Sequence, residues 1–230
     1  MERACVVVPA LDSADTIGHV LDELRADVQV PVIVVDDGSR DATGDIARER
    51  GAQLVRHEVN LGKGAAIRTG LVEAVRLGFE VAVTADADGQ HPGRSVRVVL
   101  DGNDDRRALV LGVRDLVRDG APRSNRFGNG VSNLFLSAFA GRPLHDTQCG
   151  LRRYPVRETL ALGVGSDGYA FEAEVILRAI AANLPIVEVP VRVFYPASGA
   201  RRSHFRNVRD PARIVASVVK TVIELRIRAM

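Results

Sequence analysis

Short apolar runs alternate with segments of helical spacing along the first half of the chain. Cys5-Val6-Val7-Val8 ends at Pro9, and Pro31-Val32-Ile33-Val34-Val35 ends at Asp36-Asp37-Gly38-Ser39. Val81-Ala82-Val83-Thr84-Ala85 ends at Asp86-Ala87-Asp88, and Leu109-Val110-Leu111-Gly112-Val113 ends at Arg114. Gln53-Leu54-Val55 is a weaker run of the same kind. Continuously apolar runs rich in β-branched residues are expected of strands buried on both faces. Between them, Ile17, Val20, Leu21 and Leu24 repeat at i, i+3, i+4, i+7 in a helix expected over 16–25. Ile67, Leu71, Val75 and Leu77 mark a less regular helix over 64–77. This alternation predicts an α/β fold, a mostly parallel central sheet flanked by helices on both faces. In such sheets ligands bind beyond the carboxyl ends of the strands, and the polar residues of this chain gather there.

The second half is less regular. Helices are expected over 123–139 and 171–183. A strand over 186–194 is interrupted by Pro190, which places it at an edge or a bulge. Asp210-Pro211 is expected to open a last helix, with Asp as cap and Pro in the first turn. In that segment Ile214, Val215, Val218, Val219, Val222, Ile223 and Leu225 alternate with Arg213, Lys220, Arg226 and Arg228. Such a basic amphipathic helix suits an anionic membrane interface, and equally suits packing on the domain or on a second subunit.

Composition narrows the class. The 230 residues are 46% hydrophobic and 26% charged, which excludes a disordered tail, a fibrous repeat and a disulfide-stapled mini-protein. No run approaches the length of a membrane-spanning helix, and no leader is evident at the N-terminus. Cys5 and Cys149 lie far apart in the sequence, so no structural disulfide is expected and a reducing, cytoplasmic compartment is. With 4% aromatic residues and no Trp, little is available for stacking on bases, so no nucleic-acid partner is expected. Net charge is +2, but residues 201–230 alone carry +6. A basic end on a mildly acidic body points to an anionic partner, or to a solvated helix face.

The sharpest chemical feature is Asp86-Ala87-Asp88-Gly89-Gln90-His91-Pro92, directly after a buried strand. Two carboxylates and a carboxamide at i, i+2 and i+4 are hard oxygen ligands suited to Mg²⁺ or Mn²⁺. Few protein ligands would leave coordination positions for substrate phosphates. The structural alternative is a turn that leads into the next helix. The acidic pair Asp36-Asp37 could accept hydrogen bonds from a ribose or a base; alternatively Ser39 or Asp41 simply caps the following helix, with Gly38 making the turn. Asn60-Leu61-Gly62-Lys63-Gly64 brackets with glycines one of only two lysines in the chain, where a helix start could receive an anion. Arg114, Arg118, Arg123 and Arg126 follow the fifth strand, and Arg201-Arg202-Ser203-His204 forms a polar loop. Arginine suits two-pronged phosphate binding. Phosphate-binding Walker loops, dinucleotide-binding glycine motifs, EF-hand loops and nucleophile elbows all fail on the residues present.

Taken in order, seven landmarks resemble the family-2 glycosyltransferases of the GT-A fold, within them the polyprenyl-phosphate glycosyltransferase branch that includes the dolichol-phosphate mannosyltransferases. They are Val8-Pro9-Ala10, Val35 to Ser39, Asn60 to Gly64, Asp86 to His91, Gly112-Val113-Arg114, Asp146 to Arg152, and Gly168-Tyr169-Ala170-Phe171-Glu172. The resemblance implies an inverting, metal-dependent transfer from a UDP- or GDP-sugar to a polyprenyl phosphate or another lipid-linked acceptor. It implies that Pro9, Asp36 and Asp37 line the nucleotide, with Lys63 near the donor, and that Asp86, Asp88 and Gln90 hold Mg²⁺ or Mn²⁺ against the diphosphate. Arg114 and Arg126, with Arg123 or Ser124, would bind an acceptor phosphate, and Arg202 and His204 would close over the diphosphate. A phosphate acceptor needs no base. A hydroxyl acceptor would need one, and Asp146 is the candidate. Residues 1–209 would then form the catalytic domain, a nucleotide-sugar half over 1–114 and an acceptor half over 115–209, followed by the helix of 210–230. Homo-oligomers are compatible with this, as is peripheral attachment to the inner face of the membrane. Two departures from the branch are the lack of membrane-spanning segments and His204 where a lysine is common. Readings of other classes are an aspartyl-phosphate phosphohydrolase, recognised by Asp86-Ala87-Asp88-Gly89, and a non-catalytic nucleotide-sugar-binding protein. Against the first, the motif follows the fourth strand instead of the first and continues with Gln90.

Overall fold

The computed structural model describes residues 3–168, 170–195 and 217–225, without the side chains of Ser124 and Asn125. One seven-stranded sheet runs in the order β3-β2-β1-β4-β6-β5-β7. Its strands are β1 (Ala4–Ala10), β2 (Val32–Asp36), β3 (Gln53–Arg56), β4 (Val81–Thr84), β5 (Leu109–Arg114), β6 (Arg152–Pro155) and β7 (Ile186–Val191). The helices are α1 (Ile17–Asp27), α2 (Thr43–Glu49), α3 (Lys63–Arg76), α4 (Gly93–Leu100), α5 (Arg123–Ala140), α6 (Val156–Ala161) and α7 (Ala170–Ala181). Residues 217–225 are also helical. The expected start of that last segment at Asp210-Pro211 lies outside the described residues.

Strand pleating explains the layers. Along β1, Val6 and Val8 enter one core with Ile17, Leu21 and Leu24 of α1 and Val96 and Val99 of α4. Cys5 and Val7 enter the other, with Ile67 and Leu71 of α3 and Phe171 and Ile176 of α7. Successive side chains of a strand face opposite sides, so β1 must be apolar at every position, as its sequence is. Gly70 lets α3 approach β1 closely, since a Cβ there would lie 2.3 Å from Val7 Cγ1.

All pairings in the sheet are parallel except those of β6, which runs antiparallel to β4 and β5. β7 is an edge strand, as Pro190 required. β6 was not anticipated, because Arg152-Arg153-Tyr154-Pro155 has no apolar run. Its arginines are nevertheless buried, Arg152 completely. They donate to backbone carbonyls: Arg152 to Thr147, Cys149 and Glu172, and Arg153, through Nη1 and Nη2, to Leu100, Asn103 and Asp105. Five guanidinium donors in a fixed fork suit carbonyls in this way. The antiparallel sense has a functional consequence. Thr84, the last residue of β4, pairs with Arg152, the first of β6. The segment leading into β6, residues 146–151, therefore lies at the edge where the parallel strands end.

Candidate active site

Four loops converge at that edge. The turn after β4 carries Asp86, half-buried, and Asp88, exposed, with Gln90 between them and α4. The Gln90 N–H donates to Asp88 Oδ1 at 2.9 Å, which holds the turn closed. His91, 6% exposed, lies beneath it and accepts the Asp86 N–H at Nδ1. Lys63, the first residue of α3, places Nζ 2.8 Å from Asp86 Oδ1 and 3.0 Å from Glu172 Oε1. The position of Lys63 depends on Gly62, whose φ is +100° and whose Cβ, if present, would lie 2.4 Å from the Asp167 carbonyl. Gly150 closes the group from the β6 side. A Cβ there would stand 2.9 Å from Lys63 Nζ and 3.1 Å from Asp86 Oδ2, and its carbonyl accepts from Thr84 Oγ1.

The electrostatics follow. Burial disfavours the charge on Lys63, yet Asp86 and Glu172 outweigh it and hold the ammonium well above its usual range. Burial likewise opposes the Asp86 charge, but Lys63, His91 and Arg114 pull its pKa down to about 2. Asp88, though its side chain reaches solvent, moves the other way, raised by partial desolvation at the crowded turn and by the neighbouring Asp86 charge. Burial lowers His91. The turn thus holds one firmly ionised carboxylate and a second that its neighbour resists ionising, an arrangement that a cation would relieve. Among the described residues no three His, Cys, Asp or Glu side chains converge on a metal position. Two carboxylates and a carboxamide on one turn still fit a hard divalent ion that takes its remaining oxygens from a ligand.

The acidic pair after β2 has a different character. Asp36 is fully buried, accepting the Ser39 N–H at 2.8 Å and lying 3.4 Å from Arg56 Nε. Asp37 accepts the N–H groups of Leu61 and Gly62 and sits 2.6 Å from His57 Nδ1. His57 Nε2 reaches Thr69 Oγ1 at 3.0 Å. Because a carboxylate only accepts, His57 donates to Asp37 through Nδ1. The pair therefore secures the loop before Lys63. Pro9 is next to it, in register with Val35, and the Asp37 N–H donates to the Ala10 carbonyl.

Beyond β5, Arg114 grips Asp146. Its Nε–Oδ2 distance is 2.6 Å and its Nη2–Oδ1 distance 2.9 Å, and its backbone N–H also donates to Oδ2. Asp146 is fully buried, so both of its oxygens are engaged. At Asp146, the candidate base for a hydroxyl acceptor, both carboxylate oxygens meet Arg114. Arg114 opens onto a cavity of about 620 Å³ lined also by Arg118, Arg126, Asn129, Asn133 and Arg192. Asn129 is 2% exposed, and among the described residues its Oδ1 has no hydrogen-bond partner. Arg123 is exposed at the first turn of α5 and is not part of the cavity lining. The Ser124 side chain, Arg202 and His204 lie outside the described residues.

Sequence reasoning assigned no role to Glu172, His91 or His57. Glu172 and His91 stand inside the motifs quoted above, which was the available signal. His57 had none, since its partners come from β2 and α3.

Comparison with known proteins places the chain in a family. The family model for glycosyl transferase family 2 matches residues 5–158. The dolichyl-phosphate hexose transferase of Haloferax volcanii is 32% identical over 228 residues, 97% of this chain and 95% of that protein. The polyprenol monophosphomannose synthase of Mycolicibacterium smegmatis is 30% identical over 223 residues, 91% of this chain and 84% of that one. Glucosyl-3-phosphoglycerate synthase from Mycobacterium tuberculosis, solved with Mn²⁺, UDP and glucosyl-3-phosphoglycerate, shares the fold. It matches at a TM-score of 0.70 and 20% identity over 96% of this chain and 79% of that one. The chain belongs to glycosyl transferase family 2 and is a glycosyltransferase with the GT-A fold. The phosphohydrolase reading is set aside.

Proposed function

We propose that this enzyme moves a hexosyl group from a nucleoside-diphosphate sugar to a polyprenyl phosphate, with inversion and with help from Mg²⁺ or Mn²⁺. The observation that carries the proposal is the adjacency of two oppositely charged sites. An acidic turn (Asp86, Asp88, Gln90) suits a cation-bound diphosphate, and an arginine-lined cavity (Arg114, Arg118, Arg126, Arg192) suits a second, separate phosphate. The names of the relatives from Haloferax and Mycolicibacterium, and the Mn²⁺ and UDP in the mycobacterial structure, support the same reading.

Each residue then has a task. Asp86, Asp88 and Gln90 would hold the divalent ion, which when bound neutralises charge on the departing nucleoside diphosphate. Lys63 balances Asp86 and Glu172 and keeps the turn in place before the donor arrives. Pro9 would face the nucleotide, while the buried Asp36 and Asp37 hold that wall from behind, Asp37 by fixing Leu61 and Gly62. Arg114, held by Asp146, and Arg126 orient the acceptor phosphate, which attacks the anomeric carbon from the face opposite the leaving group. That oxygen is already anionic at neutral pH, so no protein base is needed, and Asp146 is free to act as the arginine's anchor. Attachment to the inner membrane face fits such an acceptor.

The test is a transfer assay with UDP- and GDP-hexoses, Mn²⁺, and either a short polyprenyl phosphate or the matching alcohol. The proposal expects a sugar phosphodiester from the phosphate and nothing from the alcohol. Transfer to the alcohol alone would replace it with a hydroxyl-acceptor enzyme.

A further inference from the structure

The outward face of α5 carries Phe127, Val131, Leu134 and Phe135, exposed by 76, 53, 76 and 47%. Their spacing is i, i+4, i+7, i+8, with Ala138 following at i+11, so they form one stripe. Leu136, on the opposite face, is 1% exposed and belongs to the core. A third face, with Arg126, Asn129 and Asn133, lines the arginine-rich cavity. One helix thus joins the core, the cavity wall and an unbroken apolar stripe. A solvated helix does not present four large apolar side chains in a row, and contiguous apolar patches mark contact surfaces.

We propose that this stripe docks the enzyme on the surface of an anionic lipid bilayer, with α5 lying along the interface. Charge complementarity selects this partner. The helix contains Arg123 and Arg126 and no acidic residue. Exposed Arg118, next to Asp115 and Asp119, precedes it and exposed Arg142 follows it. Val117, 73% exposed, extends the apolar surface along the cavity rim. An amphipathic helix with arginines flanking an apolar face binds headgroups and acyl chains together. The proposal rests on the polyprenyl-phosphate reading of the cavity. An acceptor of that class keeps its tail in the bilayer, and docking α5 brings the cavity it walls to that surface.

The test is co-sedimentation of the whole protein with phosphatidylcholine vesicles, with and without a minority of phosphatidylglycerol. Wild type is expected to bind the anionic vesicles, less so as salt rises. Leu134→Glu and Phe127→Ser are expected to weaken binding by at least about tenfold. Their melting temperatures and their transfer to a short, water-soluble prenyl phosphate should match wild type, while transfer to a long polyprenyl phosphate in vesicles falls. Failure of wild type to bind would overturn the proposal, as would variants that bind equally well. A wild-type dimer that the variants split, with vesicle binding unchanged, would assign the stripe to a second copy instead. Vesicle binding that the variants abolish, with no transfer to either acceptor, would uphold the docking surface and remove the acceptor reading.

Discussion

Arg114 and Asp146 come from segments 32 residues apart and form a two-pronged ion pair, with Nε–Oδ2 at 2.6 Å and Nη2–Oδ1 at 2.9 Å. The carboxylate is fully buried and the arginine side chain 15% exposed. Burial works against the arginine's charge, but the Asp146 hydrogen bonds overcome it and raise its pKa further. Removing one partner of such a pair leaves an uncompensated buried charge, at a cost of about 3–5 kcal/mol.

Asp146→Ala should therefore lower unfolding free energy by about that amount, measured by chemical denaturation. The double variant Arg114→Ala/Asp146→Ala should be less destabilised than the sum of the two singles. Asp146→Asn, which keeps the shape, should raise the acceptor KM more than it lowers kcat. A kcat loss of ~10²-fold or more with KM unchanged would instead mark Asp146 as a general base.

His57 links β2 to α3 through Asp37 and Thr69. His57→Ala deprives a buried carboxylate of one donor, which should cost about 1–3 kcal/mol. The loop that delivers Lys63 should loosen, so nucleotide affinity should fall while maximal transfer rate at saturating donor changes little. Isothermal titration with the nucleotide, set beside initial rates, separates the two. Unchanged affinity would limit His57 to a stabilising role.

Acid stability should report on the Lys63–Asp86 contact. The folded pKa of Asp86, about 2, lies below its ordinary 3.8. A depressed carboxylate adds stability above the ordinary value, and that stability is lost as pH falls through the folded one. The contribution is on the order of 2 kcal/mol. In metal-free buffer, wild type should thus lose stability between about pH 4 and pH 2. Lys63→Met should be less stable at neutral pH and lose less on acidification. Equal acid slopes for the two proteins would show that Lys63 does not set the Asp86 charge.

Much of this was legible in the sequence because it is local. The strands β1, β2, β4 and β5 are unbroken apolar runs, and α1 and α5 fall within two residues of the pattern that predicted them. The acidic turn after β4 was legible because Asp86, Asp88 and Gln90 sit within five consecutive positions. What stayed hidden depends on distant partners. β6 reads as polar because its arginines are satisfied by carbonyls from three other segments. The pairing of Asp146 with Arg114 stayed hidden because the two lie 32 residues apart. The apolar stripe of α5 was legible as a helix, but only the packing of Leu136 shows which face is left outside.

The role we propose for the turn after β4 is to bind the donor diphosphate through a divalent cation. Its most direct measurement is the melting temperature of wild type and Asp88→Asn with UDP or GDP, each in Mn²⁺ and in EDTA. A ligand that binds only the folded state raises the melting temperature by mass action. One nucleotide should stabilise wild type in Mn²⁺, lose that effect in EDTA, and leave Asp88→Asn unmoved. Equal stabilisation with and without metal, or an unaltered response in Asp88→Asn, would contradict the claim.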